Sequence, residues 1–303
     1  MQIELRPTAC AICGAYDNAA ELYPANFDSS AFSPTVFSAR RLPDRVHYRL
    51  VRCHSCGLVR SDPVADPEAV GSLYRQSSFD YSEETASLAE TYGRYLARLQ
   101  THGINKGSLL EIGCGNGFFL EEARAQGYAE VRGIEPSRAA IELARPDIRP
   151  GIVCGIMGPG LFPERSFDAI CFFQVLDHIF DPAEVVEECF RLLKPGGLVL
   201  CLNHNVEARS ARWMRERSPI VDIEHTYLYS PRTIGLLFSK FGFHPLETGA
   251  VRNRYSISYL ARLVPLPAAV KRSVLAVLQA TRIGRIPLRL PLGNLYMIAR
   301  KPR

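Results

Sequence analysis

The sequence predicts an α/β fold, a mainly parallel sheet wound between helices, with a small cysteine-bearing module in front of it. Three observations carry this. Short apolar runs alternate with amphipathic segments from residue 108 onward, a glycine-rich turn closes the first of those runs, and two C-x-x-C pairs precede them all. At 303 residues, 47% hydrophobic and 22% charged, the chain can bury one substantial core plus one smaller unit. The expected division is a module over 1–63, connecting helices over 64–104 and a main domain over 105–303, with a basic helical insertion at about 255–290.

In the module, Cys10-Ala-Ile-Cys13 and Cys53-His-Ser-Cys56 each run into a glycine, Gly14 and Gly57. A turn after each pair aims two thiolates at one point, and two such turns close a tetrahedral set of sulfurs suited to Zn2+. Cys10, Cys13, Cys53 and Cys56 are therefore the expected ligands, and the ion is structural because four protein ligands leave no position for substrate. The chain holds nine cysteines, an odd count, and begins without an apolar leader, which argues against a disulfide framework. The expected address is cytoplasmic, since no uncharged run reaches the roughly 18 residues that a bilayer span needs.

Helical patterns then start at Asp66-Pro-Glu and at Ser82-Glu-Glu, each with an N-cap residue and early acids. From 108 the strands fall at 109–112, 131–134, 167–173, 198–202, 243–248 and 295–299, with helices at 118–126, 137–144 and 183–193 between them. This βαβ alternation gives a parallel sheet. The first strand ends in Glu111-Ile-Gly113-Cys-Gly115-Asn-Gly117, where glycines let the backbone turn sharply and let a ligand lie against it. A dinucleotide fingerprint would place a third glycine at 118, which is Phe118 here. Eighteen residues beyond Gly117, the second strand ends at Glu135, whose carboxylate can accept from both hydroxyls of a ribose.

Joined to Ser166-Phe-Asp168, Val175-Leu-Asp177-His178 and Leu193-Lys-Pro-Gly-Gly197, this loop resembles that of the class I S-adenosylmethionine-dependent methyltransferases over about 105–249 plus the last strand. The resemblance implies a Rossmann-like sheet of seven strands, the last antiparallel. It also implies S-adenosylmethionine contacts from Glu111, Gly113, Gly115, Gly117 and Glu135, with further contacts near Gly155, Ile156 and Gln174 and a covering role for Tyr81. With the cysteine pairs in front, the chain is similar to the zinc-containing sugar C-methyltransferases and to methyltransferases of polysaccharide gene clusters.

Methyl transfer from a sulfonium needs the acceptor aligned with the methyl group, plus a base where the acceptor carries a proton. Asp222-Ile-Glu224-His225 follows the fifth strand, on the acceptor side of such a fold, and resembles the Glu-His pair of the sugar C-methyltransferases. His225 is the expected base, with Glu224 as its orienting partner or substitute, and His178 is a further candidate beside the sulfonium; packing roles are the alternative for both histidines. His204 and Trp213 lie in the same stretch and could contact a sugar ring.

The formal charge is +5, yet 251–303 holds eleven Lys or Arg and no acid, so 1–250 is left with 25 basic against 31 acidic side chains, a net of −6. A broad nucleic-acid surface is not expected from an acidic main body, which disfavours the alternative of an RNA-modifying enzyme. A non-catalytic scaffold would need a damaged cofactor loop, and this one is intact. Basic side chains beside a cleft suit a phosphorylated small-molecule or glycan acceptor, methylated on O or C. Val270, Val274, Val277 and Leu278 at helical spacing, flanked by Lys271 and Arg272, form either a cap over the cleft or a peripheral contact with an anionic membrane.

Overall fold

The structure is a computed structural model, and it describes residues 4–28, 31–33, 36–37, 45–76, 85–263 and 267–303. The expected sheet is present with seven strands: β1 (Ser108–Ile112), β2 (Glu130–Glu135), β3 (Ile152–Cys154), β4 (Phe167–Phe173), β5 (Leu193–His204), β6 (His244–Ala250) and β7 (Asn294–Arg300). Their spatial order is β6-β7-β5-β4-β1-β2-β3. The β1–β2, β1–β4, β2–β3 and β4–β5 pairs are parallel, and β7 runs antiparallel to both β5 and β6. The sequence pattern passes over β3 because three residues at a sheet edge are too few to show a period.

Alternation along the strands feeds two cores, one on each face. Leu110, Ile112, Phe172, Val199 and Met297 pack on one side, and Leu109, Cys171, Leu198, Leu200 and Ile298 on the other. The second face is covered by α2 (Thr85–Arg98), whose Tyr92 stacks on Phe173 with ring centroids 4.2 Å apart. Ahead of it, α1 (Pro67–Gln76) starts at Asp66, whose Oδ2 accepts from the Glu68 and Ala69 amides, the capping that the sequence indicates.

The N-terminal module is built around strands Ala19–Tyr23, Leu50–Cys53 and Val59–Ser61, and its sheet is completed by Tyr227–Leu228 from the main domain. Cys10, Ala11, Cys53, Cys56 and Leu58 belong to the same core cluster as β1, β4 and β5. The basic excursion is a hairpin, Asn253–Ser256 against Pro287–Leu290, enclosing helices Ile257–Leu263 and Ala268–Ala280. Arg254 and Arg289 both pair with Glu90 of α2, which fastens the hairpin to that helix. Among the described residues no helix is long and apolar enough to cross a membrane.

Candidate functional site

Ligands of open parallel sheets sit at the carboxyl ends of the strands, where the strand order reverses. Here that point lies between β1 and β4. The loop after β1 runs through Gly113, Gly115 and Gly117 with φ of 74°, 55° and 74°, a left-handed backbone that only glycine adopts without strain. A Cβ on Gly113 would stand 2.4 Å from Val175 Cγ2, so the loop after β4 closes directly on the glycine turn. Gly117 is the N-cap of α3 (Phe118–Ala125).

Glu135 ends β2, nearly buried, with Oε2 accepting from the Gly115 amide at 2.9 Å and Oε1 from the Ser137 amide at 2.9 Å. Burial raises its carboxyl above the ordinary value against the lowering pull of those two amides. Gly155 donates to the Glu135 carbonyl, and the next residue, Ile156, leaves 76% of its surface exposed at the end of β3. Gln174 takes a left-handed φ of 58°, and its Oε1 is buried without a partner among the described residues, as is Asn116 Oδ1 of the glycine loop. Glu111 is buried within β1. Glycines without side chains, a buried acceptor pair and two orphaned carbonyl oxygens form a cradle that fits a polar ligand with hydroxyl and amino groups. Tyr81 lies outside the described residues.

Next to this cradle the chain gathers three histidines around Asp177, which is fully buried. Asp177 Oδ2 accepts from His204 Nδ1 at 2.6 Å, and Oδ1 accepts from Asn203 Nδ2 at 3.1 Å. The ring of His225 lies 4.6 Å from that of His204 and 4.8 Å from that of His178, between centroids. Burial pushes the Asp177 carboxyl up, but His204, then His178 and His225, outweigh it and hold the group well below the usual carboxylate range.

Glu224 and His225 do not form the expected pair. His225 Nδ1 is hydrogen-bonded to the Ile220 carbonyl at 2.8 Å, whereas Glu224 Oε1 accepts from the Tyr74 hydroxyl at 3.0 Å. The two residues close a turn in which the His225 amide donates to the Asp222 carbonyl at 3.1 Å, and their side chains serve different partners. Burial, followed by the nearby His204 and His178, pulls His225 down to about 3, so it is a neutral imidazole and a weak base at neutral pH. His178 is also lowered, by burial first, against the opposing pull of Asp177.

The segment carrying His225 is held from both sides. Thr226 and Tyr227 donate their amides to the Asp177 carbonyl, while Ser61 of the module donates through Oγ to the His225 carbonyl at 2.7 Å. Sequence reasoning missed Tyr74 and the anchoring roles of Asp177 and His204. Tyr74 sits 150 residues from Glu224 and carries no local signal, whereas Asp177 directly precedes His178 and could have been read as its partner.

The four cysteines converge as expected, all sulfurs lying within 4.8 Å of one another. Cys10 Sγ and Cys56 Sγ are 3.3 Å apart, and Cys13 Sγ and Cys53 Sγ 3.6 Å, near the roughly 3.8 Å edge of a tetrahedron with 2.3 Å metal–sulfur bonds. The two knuckles match: Gly14 donates to Cys10 O and Gly57 to Cys53 O, at φ of 78° and 81°. Burial raises all four thiols; at Cys53 the backbone amides of Cys56 and Ser55 outweigh it and bring the group to about 7. The group can hold a metal ion.

The methyltransferase domain family matches residues 83–248, more than half of the chain. Ubiquinone biosynthesis O-methyltransferases are similar to about a third of the chain. That of Alkalilimnicola ehrlichii is 37% identical over 111 residues, covering 34% of this chain and 44% of the relative. One from Pseudomonas aeruginosa is 36% identical over 114 residues, covering 35% and 49%. The chain thus spans less than half the length of these relatives. Among solved structures, an Archaeoglobus fulgidus SAM-dependent methyltransferase superposes with a TM-score of 0.51 at 19% identity, over 73% of this chain and all (100%) of that one. A Haloferax volcanii complex containing the Trm112 methyltransferase activator gives 0.51 at 19% identity, over 73% and 92%. Both share the fold. With the sheet order, the glycine loop and the family match in agreement, the chain belongs to the methyltransferase domain family.

Proposed function

We propose that the protein transfers the methyl group of S-adenosylmethionine to a hydroxyl oxygen of a small acceptor, and that the Asp177–His204 pair removes the hydroxyl proton. The observation that carries this reading is the 2.6 Å bond from His204 Nδ1 to a buried carboxylate at the carboxyl end of β5, beside the cofactor cradle. The bond fixes the tautomer, leaving Nε2 with its lone pair, and a buried carboxylate stabilises the imidazolium that forms. The cofactor would be held along Gly113, Gly115 and Gly117, with Glu135 for its ribose, Gly155 and Ile156 for its adenine, and Gln174 and Glu111 toward its methionine end. Bound there, it supplies the electrophilic methyl; the protein's share is alignment and proton removal.

The acceptor is a sugar, nucleotide sugar or lipid-linked glycan, a reading supported by the surplus of basic residues after 250. A phenolic hydroxyl is the second reading, favoured by the names of the partial relatives. The excursion touches an anionic membrane surface at its edge: Val270 and Val277, two helical turns apart, are 48% and 61% exposed, in a stretch without acids. The four cysteines hold one structural zinc.

Methyl-labelled cofactor, incubated with nucleotide-activated hexoses and with dihydroxybenzoates, separates the two acceptor classes by which becomes labelled. On the labelled acceptor, His204→Ala should lose about 10² to 10⁴ in rate while keeping cofactor affinity and thermal midpoint. A loss below about threefold would remove His204 from the mechanism.

A further inference from the structure

We propose that Asp177, His178 and His225 form a second metal site, for a divalent transition-metal ion. The Ile220 carbonyl can only accept, so His225 carries its proton on Nδ1 and presents Nε2 as a bare nitrogen. Tyr74 donates its hydroxyl proton to Glu224 Oε1, and its oxygen lies 3.3 Å from His178 Nδ1. The other ring nitrogen, His178 Nε2, stands 3.8 Å from Asp177 Oδ1.

These two ligand atoms are too far apart for a hydrogen bond to each other. One ligand atom from each of Asp177, His178 and His225 lies within 4.8 Å of the other two. Ligands about 2.1 Å from one ion stand about 3 to 3.5 Å apart, so a contraction on the scale of side-chain rotation closes the set. Two neutral imidazoles and a carboxylate are a donor set of borderline softness, suited to zinc, iron or cobalt rather than to magnesium.

The outer contacts agree with this reading. Ligating histidines ordinarily donate their second nitrogen to a carbonyl or another polar group, as His225 does here, and ligating carboxylates are themselves hydrogen-bonded, as Asp177 is by His204 and Asn203. Three protein ligands also leave coordination positions open, unlike the four cysteines. Asp177 and His178 follow the carboxyl end of β4, and His225 lies in the segment that follows β5.

The test uses the full chain, stripped with chelator and titrated with Co2+. The cysteine site should fill with an intense sulfur-to-cobalt absorption in the near ultraviolet. A second equivalent should add only weak visible bands of nitrogen and oxygen ligation. His225→Gln and, separately, His178→Gln should bind one cobalt, keep the sulfur band and keep the parent's far-ultraviolet dichroism. Cys53→Ser should lose the sulfur band instead. The site is disproved if the parent saturates at one cobalt with the sulfur band complete, or if both histidine variants still take two. The reading concerns the site under Proposed function, but its readout is separate. Two ions without methyl transfer to either acceptor class would sink the acceptor reading alone, and one ion with transfer intact would sink the metal site alone.

Discussion

At the scale of single residues, the cofactor loop and the strand ends give sharp expectations. Glu135 is buried and accepts from two amides, so Glu135→Ala removes both an expected ribose acceptor and the brace on Gly115. Calorimetry should find cofactor affinity weakened by about 1 to 3 kcal/mol, roughly five- to 150-fold; an unchanged Kd would show that the ribose lies elsewhere. Asp168, at the start of β4, accepts from the Ser108 amide at 2.8 Å and pairs with Lys194 at 2.7 Å. Burial raises its carboxyl, but Lys194 and Ser108 outweigh it and set the folded value below the usual one. Its contribution to stability is therefore present above the unfolded value of about 3.9 and is lost as pH falls through the lower folded value. Asp168→Asn should melt below the parent at pH 7, with the gap narrowing below about pH 4. A gap independent of pH would assign the loss to packing.

Among the elements, the excursion depends on few contacts. Glu90 of α2 takes Arg254 from one strand of the hairpin and Arg289 from the other, and these arginines hold its carboxyl low. Exposed ion pairs contribute little to global stability, but this one joins two elements that share little apolar surface. Glu90→Ala should leave the thermal midpoint within about 2 °C of the parent and speed tryptic cleavage between 252 and 289. Equal cleavage rates would mean that the hairpin is fastened by packing alone.

For the whole molecule, the module and the methyltransferase sheet share a core and a strand pairing. The same module strand holds the His225 segment through Ser61, so a metal ion bound at the cysteines would brace that segment from behind. Chelation should lower one common melting transition, followed by calorimetry, rather than remove a small separate one. Two resolved transitions, with the larger unmoved by chelator, would make the module independent.

The sequence by itself determined the sheet, the glycine loop with Glu135 and the convergence of the four cysteines. Each is written in local pattern: alternation of apolar runs, glycine spacing, paired C-x-x-C turns. The three-residue β3 was too short to carry a period, and the site's polar centre was not local at all. Asp177, His178, His204, His225 and Tyr74 come from four stretches of chain, and only the folded structure brings their hydrogen-bonding groups together. Only the tertiary structure could separate Glu224 from His225, since their side chains find partners 150 residues and five residues away, respectively. It also decided that the N-terminal module shares a sheet and a core with the main domain, because a strand pairing between residues 59–61 and 227–228 leaves no trace in either segment.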